Sequence, residues 1–165
     1  MHVDPIGVIR TPFATGAGTP IQPAMAQGAE GTVELRPEYA EALSDLDGFE
    51  RVWLIYWFDR SSEPKLTVTP YMDTQPRGLF ATRAPSRPNA IGMSCVRLLG
   101  VEGTTLRIAD VDMLDGTPLL DIKPYVPRFD AYPDARDGWL AKSPKTVRDD
   151  VRADDRFHNE EGDKG

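Results

Sequence analysis

Met93-Ser94-Cys95-Val96-Arg97-Leu98-Leu99-Gly100-Val101-Glu102-Gly103-Thr104-Thr105-Leu106-Arg107-Ile108 is the stretch that decides the fold. Two β-branched, apolar segments flank a glycine-bearing turn at residues 100–103, the pattern of an antiparallel hairpin. Other short extended segments lie on either side. Residues 6–10 read as a strand ended by Thr11-Pro12, and residues 32–35 as a second. Val52-Trp53-Leu54-Ile55-Tyr56-Trp57-Phe58 is β-branched and aromatic throughout and reads as the central strand. Residues 66–69, 78–81 and 119–122 complete the set, the last after the turn Asp115-Gly116-Thr117-Pro118. Many short strands spaced by turn residues, without an alternating strand–helix rhythm, point to a mainly β fold with a closed or nearly closed antiparallel sheet.

Helix signals are few. Pro37 opens a short helical pattern over residues 37–43, with proline in the first turn. Ser143-Pro144 is a good cap and first-turn pair for a helix running towards Phe157, with Val147 and Val151 as its aliphatic stripe. Residues 15–31, rich in Gly, Pro and Ala, read as a loop, and residues 158–165 as a polar tail. The chain therefore divides into a barrel over residues 1–128 and a charged helical extension with its tail over residues 129–165.

The 165 residues suit one core. The single cysteine, Cys95, excludes an intrachain disulfide and fits a reducing compartment. Within the pattern Met93-Ser94-Cys95-Val96 it reads as a small core residue. With no apolar run long enough for a leader or a membrane span, the expectation is a cytoplasmic protein without a membrane partner.

The formal net charge is −7, unevenly spread. Residues 1–59 carry −6 and residues 129–165 carry −3, whereas residues 60–128 carry +2. From Thr74 to Val101 there is no Asp or Glu, and Arg77, Arg83, Arg87 and Arg97 all fall inside. This middle third is the region suited to an anionic ligand. The acidic balance lacks the overall basic character of a typical nucleic-acid binder, so it gives an RNA substrate only weak electrostatic support, and no DNA partner is expected.

Common catalytic signatures are missing. The sequence holds no phosphate-cradling glycine loop, no dinucleotide fingerprint and no His/Cys spacing for a metal. His2 and His158 are the only histidines, both near the termini, so a serine or cysteine nucleophile lacks a base. Two clusters remain. The first is Phe80-Ala81-Thr82-Arg83-Ala84-Pro85-Ser86-Arg87-Pro88-Asn89-Ala90-Ile91-Gly92. Its arginines either pair with carboxylates elsewhere or grip a ligand carboxylate or phosphate in two-point fashion, with Ser86 and Asn89 adding donors and acceptors. The second runs from Asp112 to Tyr125, where alternation places Asp121, Lys123 and Tyr125 on one side of a strand.

Ile6-Gly7-Val8-Ile9-Arg10-Thr11-Pro12-Phe13, residues 80–92, and Leu114-Asp115-Gly116-Thr117-Pro118-Leu119-Leu120-Asp121-Ile122-Lys123-Pro124-Tyr125 together resemble the TrmO, or TsaA-like, family. The resemblance runs from about residue 5 to residue 127. It implies a single-sheeted β-barrel that works as a homodimer with S-adenosylmethionine near the subunit interface. The implied reaction is methyl transfer to N6 of a threonylcarbamoylated adenosine beside a tRNA anticodon. The implied cofactor positions are Ile21 and Gln22, Asp59 and Arg60, Arg83, and Leu114, Asp115, Gly116 and Thr117. Arg87 and Asn89 are expected to help Arg83.

Three departures stand out. Ile21 replaces a family arginine, Asp59-Arg60 replaces a His-Gln pair, and Ala90 replaces a proline. Longer bacterial members also carry a further C-terminal domain. For the reaction, Asp121 and Tyr125 are candidate proton acceptors, and Tyr71 or Tyr125 could carry an unstacked adenosine. A methyltransferase for another RNA or a small molecule, and a non-catalytic S-adenosylmethionine-binding module, are the rival readings.

Overall fold

The computed structural model describes residues 2–143, 145, 149 and 151–157. Eight strands occur in chain order: β1 (Gly7–Arg10), β2 (Glu30–Leu35), β3 (Arg51–Trp57), β4 (Thr67–Val68), β5 (Arg77–Gly78), β6 (Ile91–Glu102), β7 (Thr105–Ala109) and β8 (Thr117–Pro124). Six of them close into an antiparallel barrel in the order β1-β2-β7-β6-β3-β8, with β8 returning to β1. The mainly β, single-sheeted barrel expected above is what forms.

The closure follows from period-2 alternation along each strand. Ile9, Val33, Val52, Leu54, Val96, Leu106, Ile108 and Leu119 are fully buried and fill the interior. The hairpin is there, but its turn is displaced. Pairing runs to Glu102–Thr105, leaving Gly103-Thr104 as a two-residue turn with Gly103 at φ +62°, where a side chain would be strained. The glycine at position 100 instead marks a register shift inside the ladder. The predicted central strand, β3, pairs with β6 on one side and β8 on the other.

Between β3 and β6 the chain leaves the barrel. Residues 58–90 carry the small β4–β5 ribbon and a second apolar cluster of Val68, Leu79 and Ala84, completed by Phe157. The expected strand at 78–81 is strand only at Gly78, because Leu79–Ala81 turns as a 3-10 helix. Residues 37–43 form 3-10 rather than α-helix, and α1 (Pro127–Asp130) is a single turn.

The extension differs from its sequence reading. Residues 144, 146–148 and 150, including Val147, and the tail 158–165 lie outside the described residues. Where the helix towards Phe157 was expected, residues 151–154 run extended, with Arg152 bridged to Pro20 and Ala153 exchanging backbone bonds with Gly18 and Thr19. Only Asp155–Phe157 makes a 3-10 turn. Val151 and Phe157, whose six-residue spacing would put them about 120° apart on a helix, are both buried, so packing against the loops wins over local helical propensity.

Candidate active site

The four segments that the resemblance singled out come together as two pairs. In the first, Arg83 Nη1 donates to Gln22 Oε1 at 2.7 Å, joining the loop after β5 to the loop after β1. Gln22 turns its own amide nitrogen onto the Ile21 carbonyl at 2.8 Å, which fixes the direction of the acceptor. In the second, Arg60 Nη2 donates to the Asp115 carbonyl at 2.9 Å and lies 3.4 Å from Thr117 Oγ1, while its Nε pairs with Asp59 at 3.2 Å. The turn at 114–117 is held from below. Asp115 Oδ1 accepts from the Thr11 backbone, Thr117 Oγ1 donates to the Leu114 carbonyl, and Gly116 takes φ +78°.

A cleft of about 660 Å³ opens beside the first pair, within the size range of small-molecule sites. Gln22, Arg83, Ser94 and Cys95 line it, with Trp53 and Tyr125 as aromatic walls. Those two rings meet edge to face at 5.9 Å. Arg51 and Arg97 also border the cleft, but both are clamped by Asp110, at 3.2 and 2.8 Å. Burial would raise the Asp110 carboxyl, yet the two guanidiniums outweigh it and hold the group below its usual range. Asp110 adopts φ +66°, so strained backbone supports this clamp.

The acid-free stretch therefore divides in two. Arg97 is neutralised by Asp110, and Arg77 by Asp73 through two bonds at 2.6 and 2.8 Å. Neither acid lies in the stretch itself. Arg83 and Arg87 have no carboxylate partner among the described residues. Arg83 hydrogen-bonds to the neutral Gln22 amide, with the Asp112 carboxyl within reach of its charge, whereas Arg87 donates to the Thr82 and Ala84 carbonyls and lies over the Phe80 ring. Arg87 is thus turned away from Gln22. Ser86 is fully buried against Ser62 at 2.7 Å and serves the loop's own structure. Asn89 caps the approach to β6 through its carbonyl, which accepts from Ile91.

Gly92 is needed for the barrel rather than for a ligand. A Cβ there would overlap the Tyr56 ring, which lies across it and meets Phe58 edge to face. Tyr56 leads to a polar group that the sequence reading did not single out. Its hydroxyl lies 3.0 Å from Ser94 Oγ, and Ser94 lies 2.6 Å from Asp112 Oδ1. Burial pushes the Asp112 carboxyl up to about 7, against the Ser94 hydrogen bond and the Arg83 charge. Burial likewise raises the Tyr56 phenol, with the Asp112 charge adding to it. The alternation of β6 held the signal, since Ser94 shares a face with Val96.

That same alternation corrects Cys95. It stands on the outer face of the barrel opposite Trp53, half-buried in the cleft wall, and Ser94 takes the inward position. Asp121, Lys123 and Tyr125 do share the outer side of their strand, but they part company beyond it. Asp121 is ion-paired with Lys123 at 2.7 Å and lines a second cleft of about 440 Å³. Tyr125 lines the first cleft. The Tyr71 ring is covered by Arg156 at 4.9 Å and by Phe157 at 5.2 Å, so it does not offer the open face expected for an adenosine. His2 pairs with Asp4 at the surface, far along the chain from these groups, and His158 lies outside the described residues.

A closed barrel whose cleft lies between the outer face of β3 and β6 and the loops carrying Gln22 and Arg83 stands apart from the doubly wound class, where ligands bind at the ends of parallel strands. Comparison with known proteins gives that architecture its family. The tRNA-methyltransferase O N-terminal domain matches residues 8–131, and the chain belongs to this TrmO family. A relative from Pyrococcus abyssi, named a probable S-adenosyl-L-methionine-binding protein, is 52% identical over 93% of this chain and 83% of its own length. The tRNA (adenine(37)-N6)-methyltransferase of Escherichia coli is 36% identical over 84% of this chain. A crystal structure of TrmO from Pseudomonas aeruginosa superposes with a TM-score of 0.71 at 46% identity, over 84% of this chain. The chain spans only 63% of the Escherichia coli protein and 62% of the Pseudomonas one.

Proposed function

We propose that this protein is an S-adenosylmethionine-dependent methyltransferase acting on N6 of adenosine 37 in tRNA, in the threonylcarbamoylated form of that base. The observation that carries the reading is Arg83, a guanidinium held by a neutral amide at the edge of a cleft of cofactor size. A carboxylate partner would have cancelled it. An amide orients it and leaves its charge for a ligand carboxylate. The residues lining the cleft fit the cofactor: Gln22 and Arg83 would hold its amino-acid end. Asp59, Arg60 and residues 114–117 line no part of that cleft and are proposed as cofactor contacts on the family resemblance. When bound, S-adenosylmethionine supplies an electrophilic methyl group.

The protein's own part is positioning and proton handling. Aligning an acceptor with an activated methyl lowers the barrier by up to several kcal/mol without a strong nucleophile, which suits a site with no triad. Tyr125, in the same cleft, is the group proposed to accept a hydrogen bond from the amine. Asp121, tied to Lys123 outside it, is the less favoured of the two. We assign catalysis to residues 1–128 and a supporting role to residues 129–165. With tRNA as its proposed substrate, the protein is proposed to work in the cytoplasm.

A homodimer belongs to the same proposal. Trp57 and Ile91, each 50% exposed, face each other across β3 and β6, with Met93 one step along at 44%. This apolar strip borders the wall that holds Cys95 and Trp53, so a second copy seated on it would close the cleft.

Two measurements test the reading. Replacing Arg83→Ala should weaken S-adenosylmethionine binding at least ten-fold by calorimetry; unchanged affinity would remove Arg83 from the site. Nucleoside mass spectrometry of tRNA from cells with and without the gene should show one added methyl on the threonylcarbamoylated adenosine. Cofactor binding without any methylated nucleoside would instead favour a binding module.

A further inference from the structure

Phe80 presents an aromatic ring to solvent at 78% exposure. The turn that carries it leaves no choice. Leu79 takes the inward position at 2% exposure, and Thr82 ties back to the Leu79 carbonyl through both its backbone N–H and its hydroxyl. Phe80 must then point out. Exposing a phenyl ring forgoes the stabilisation that its burial would give. Here the exposed ring is also braced. The Arg87 guanidinium lies 5.7 Å from its centroid and is fixed there by the Thr82 and Ala84 carbonyls.

A second pair of the same kind adjoins it. Trp139 Nε1 donates to the Ala81 carbonyl, one residue beyond Phe80, at 2.8 Å. The Arg77 guanidinium lies 5.6 Å from the Trp139 ring and is oriented by Asp73. Two aromatic rings, each with a guanidinium, thus flank Ala81. Residues 74–101 add no acid to this surface, although the protein as a whole carries −7. Asp73 is taken up by Arg77, while Arg87 carries its charge beside Phe80 with no carboxylate partner among the described residues. Flat rings with guanidinium planes beside them are how proteins hold unpaired bases and their phosphates.

Resting on the methyltransferase reading above, we propose that Phe80, with Arg87 beside it, is the stacking platform for an unpaired nucleotide of the tRNA anticodon loop, flanking the base that is methylated. Arg83 is three residues away, so an extended chain limits the separation of the two Cα atoms to about 11 Å. The loop that grips the cofactor would thereby also hold the RNA. Phe80 acts by positioning and takes no part in the transfer itself.

The test is fluorescence anisotropy with a labelled anticodon stem-loop RNA bearing threonylcarbamoylated adenosine 37, alongside calorimetry with S-adenosylmethionine. Phe80→Ala and Phe80→Leu should each weaken RNA binding about ten-fold, the loss of one stacked base. Phe80→Trp should retain it, and cofactor affinity should stay within two-fold in all three. RNA affinity unchanged in Phe80→Ala, with the wild type binding, overturns this proposal and leaves the methyltransferase reading intact. Retention by Phe80→Leu, with loss of self-association in Phe80→Ala by sedimentation, also overturns it and makes the ring a contact between copies. A wild type that binds cofactor but neither the stem-loop nor whole tRNA removes the tRNA reading itself.

Discussion

A single carboxyl shows how burial writes chemistry into this site. Asp112 hydrogen-bonds to Ser94 at 2.6 Å, and desolvation raises its pKa to about 7. In the unfolded chain it titrates near 3.8. Between those values the folded state holds a proton that the unfolded state has released, so stability falls as pH rises through that window and levels off above about 7. Thermal unfolding followed from pH 4.5 to 8 should show this fall, superimposed on the opposite trend from acids held low, such as Asp110. Asp112→Asn, neutral throughout, should flatten the Asp112 component. A variant that keeps the full fall would mean that another group sets it.

Arg83 and Arg97 make the complementary residue-scale point. Both lie in the acid-free stretch, and only the fold shows that Asp110 cancels one while an amide orients the other.

Among the elements, the segment at 151–157 is the one whose role differs most from its sequence pattern. It lies across the loop at 18–20 through three backbone contacts, then buries Phe157 among Val68, Leu79 and Ala84. The Ser62 amide donates to the Phe157 carbonyl at 3.0 Å, fastening the crossover that carries Arg83. Because this cluster is separate from the barrel core, its loss should open the crossover without unfolding the barrel. Phe157→Ala should cost the crossover about 3 kcal/mol. Hydrogen exchange should then quicken at the Leu79 amide, which donates to Leu66, while the β3 and β6 amides keep their protection. Uniform loss of protection would show that the two clusters unfold as one.

For the molecule as a whole, the proposed dimer is testable at the exposed apolar strip of Trp57, Ile91 and Met93. Trp57→Lys should shift the proposed dimer to monomer by sedimentation and weaken cofactor binding with it, because the cleft would lose its covering copy. A monomeric wild type, or a variant that stays dimeric, would place the strip outside any interface.

The strands, the hairpin and the mainly β class were legible in the sequence because alternation and turn chemistry act over a few neighbouring residues. Residues 52–58 and 93–108 needed only their own pattern to be read as β. The candidate site was legible as segments, through Arg83, Gln22, Arg60 and residues 114–117. Which segment meets which was not. The Arg83–Gln22 bond joins residues 61 positions apart, and Arg60 reaches Thr117 across 57. Such contacts arise only when the barrel closes and its crossovers fold back over it. The inward turn of Ser94 was there to be read in the alternation of β6, but the shielding of Tyr71 and the neutralisation of Arg97 belong to the same class as those long-range contacts. Each depends on a partner that local sequence cannot name, so tertiary structure alone decided it.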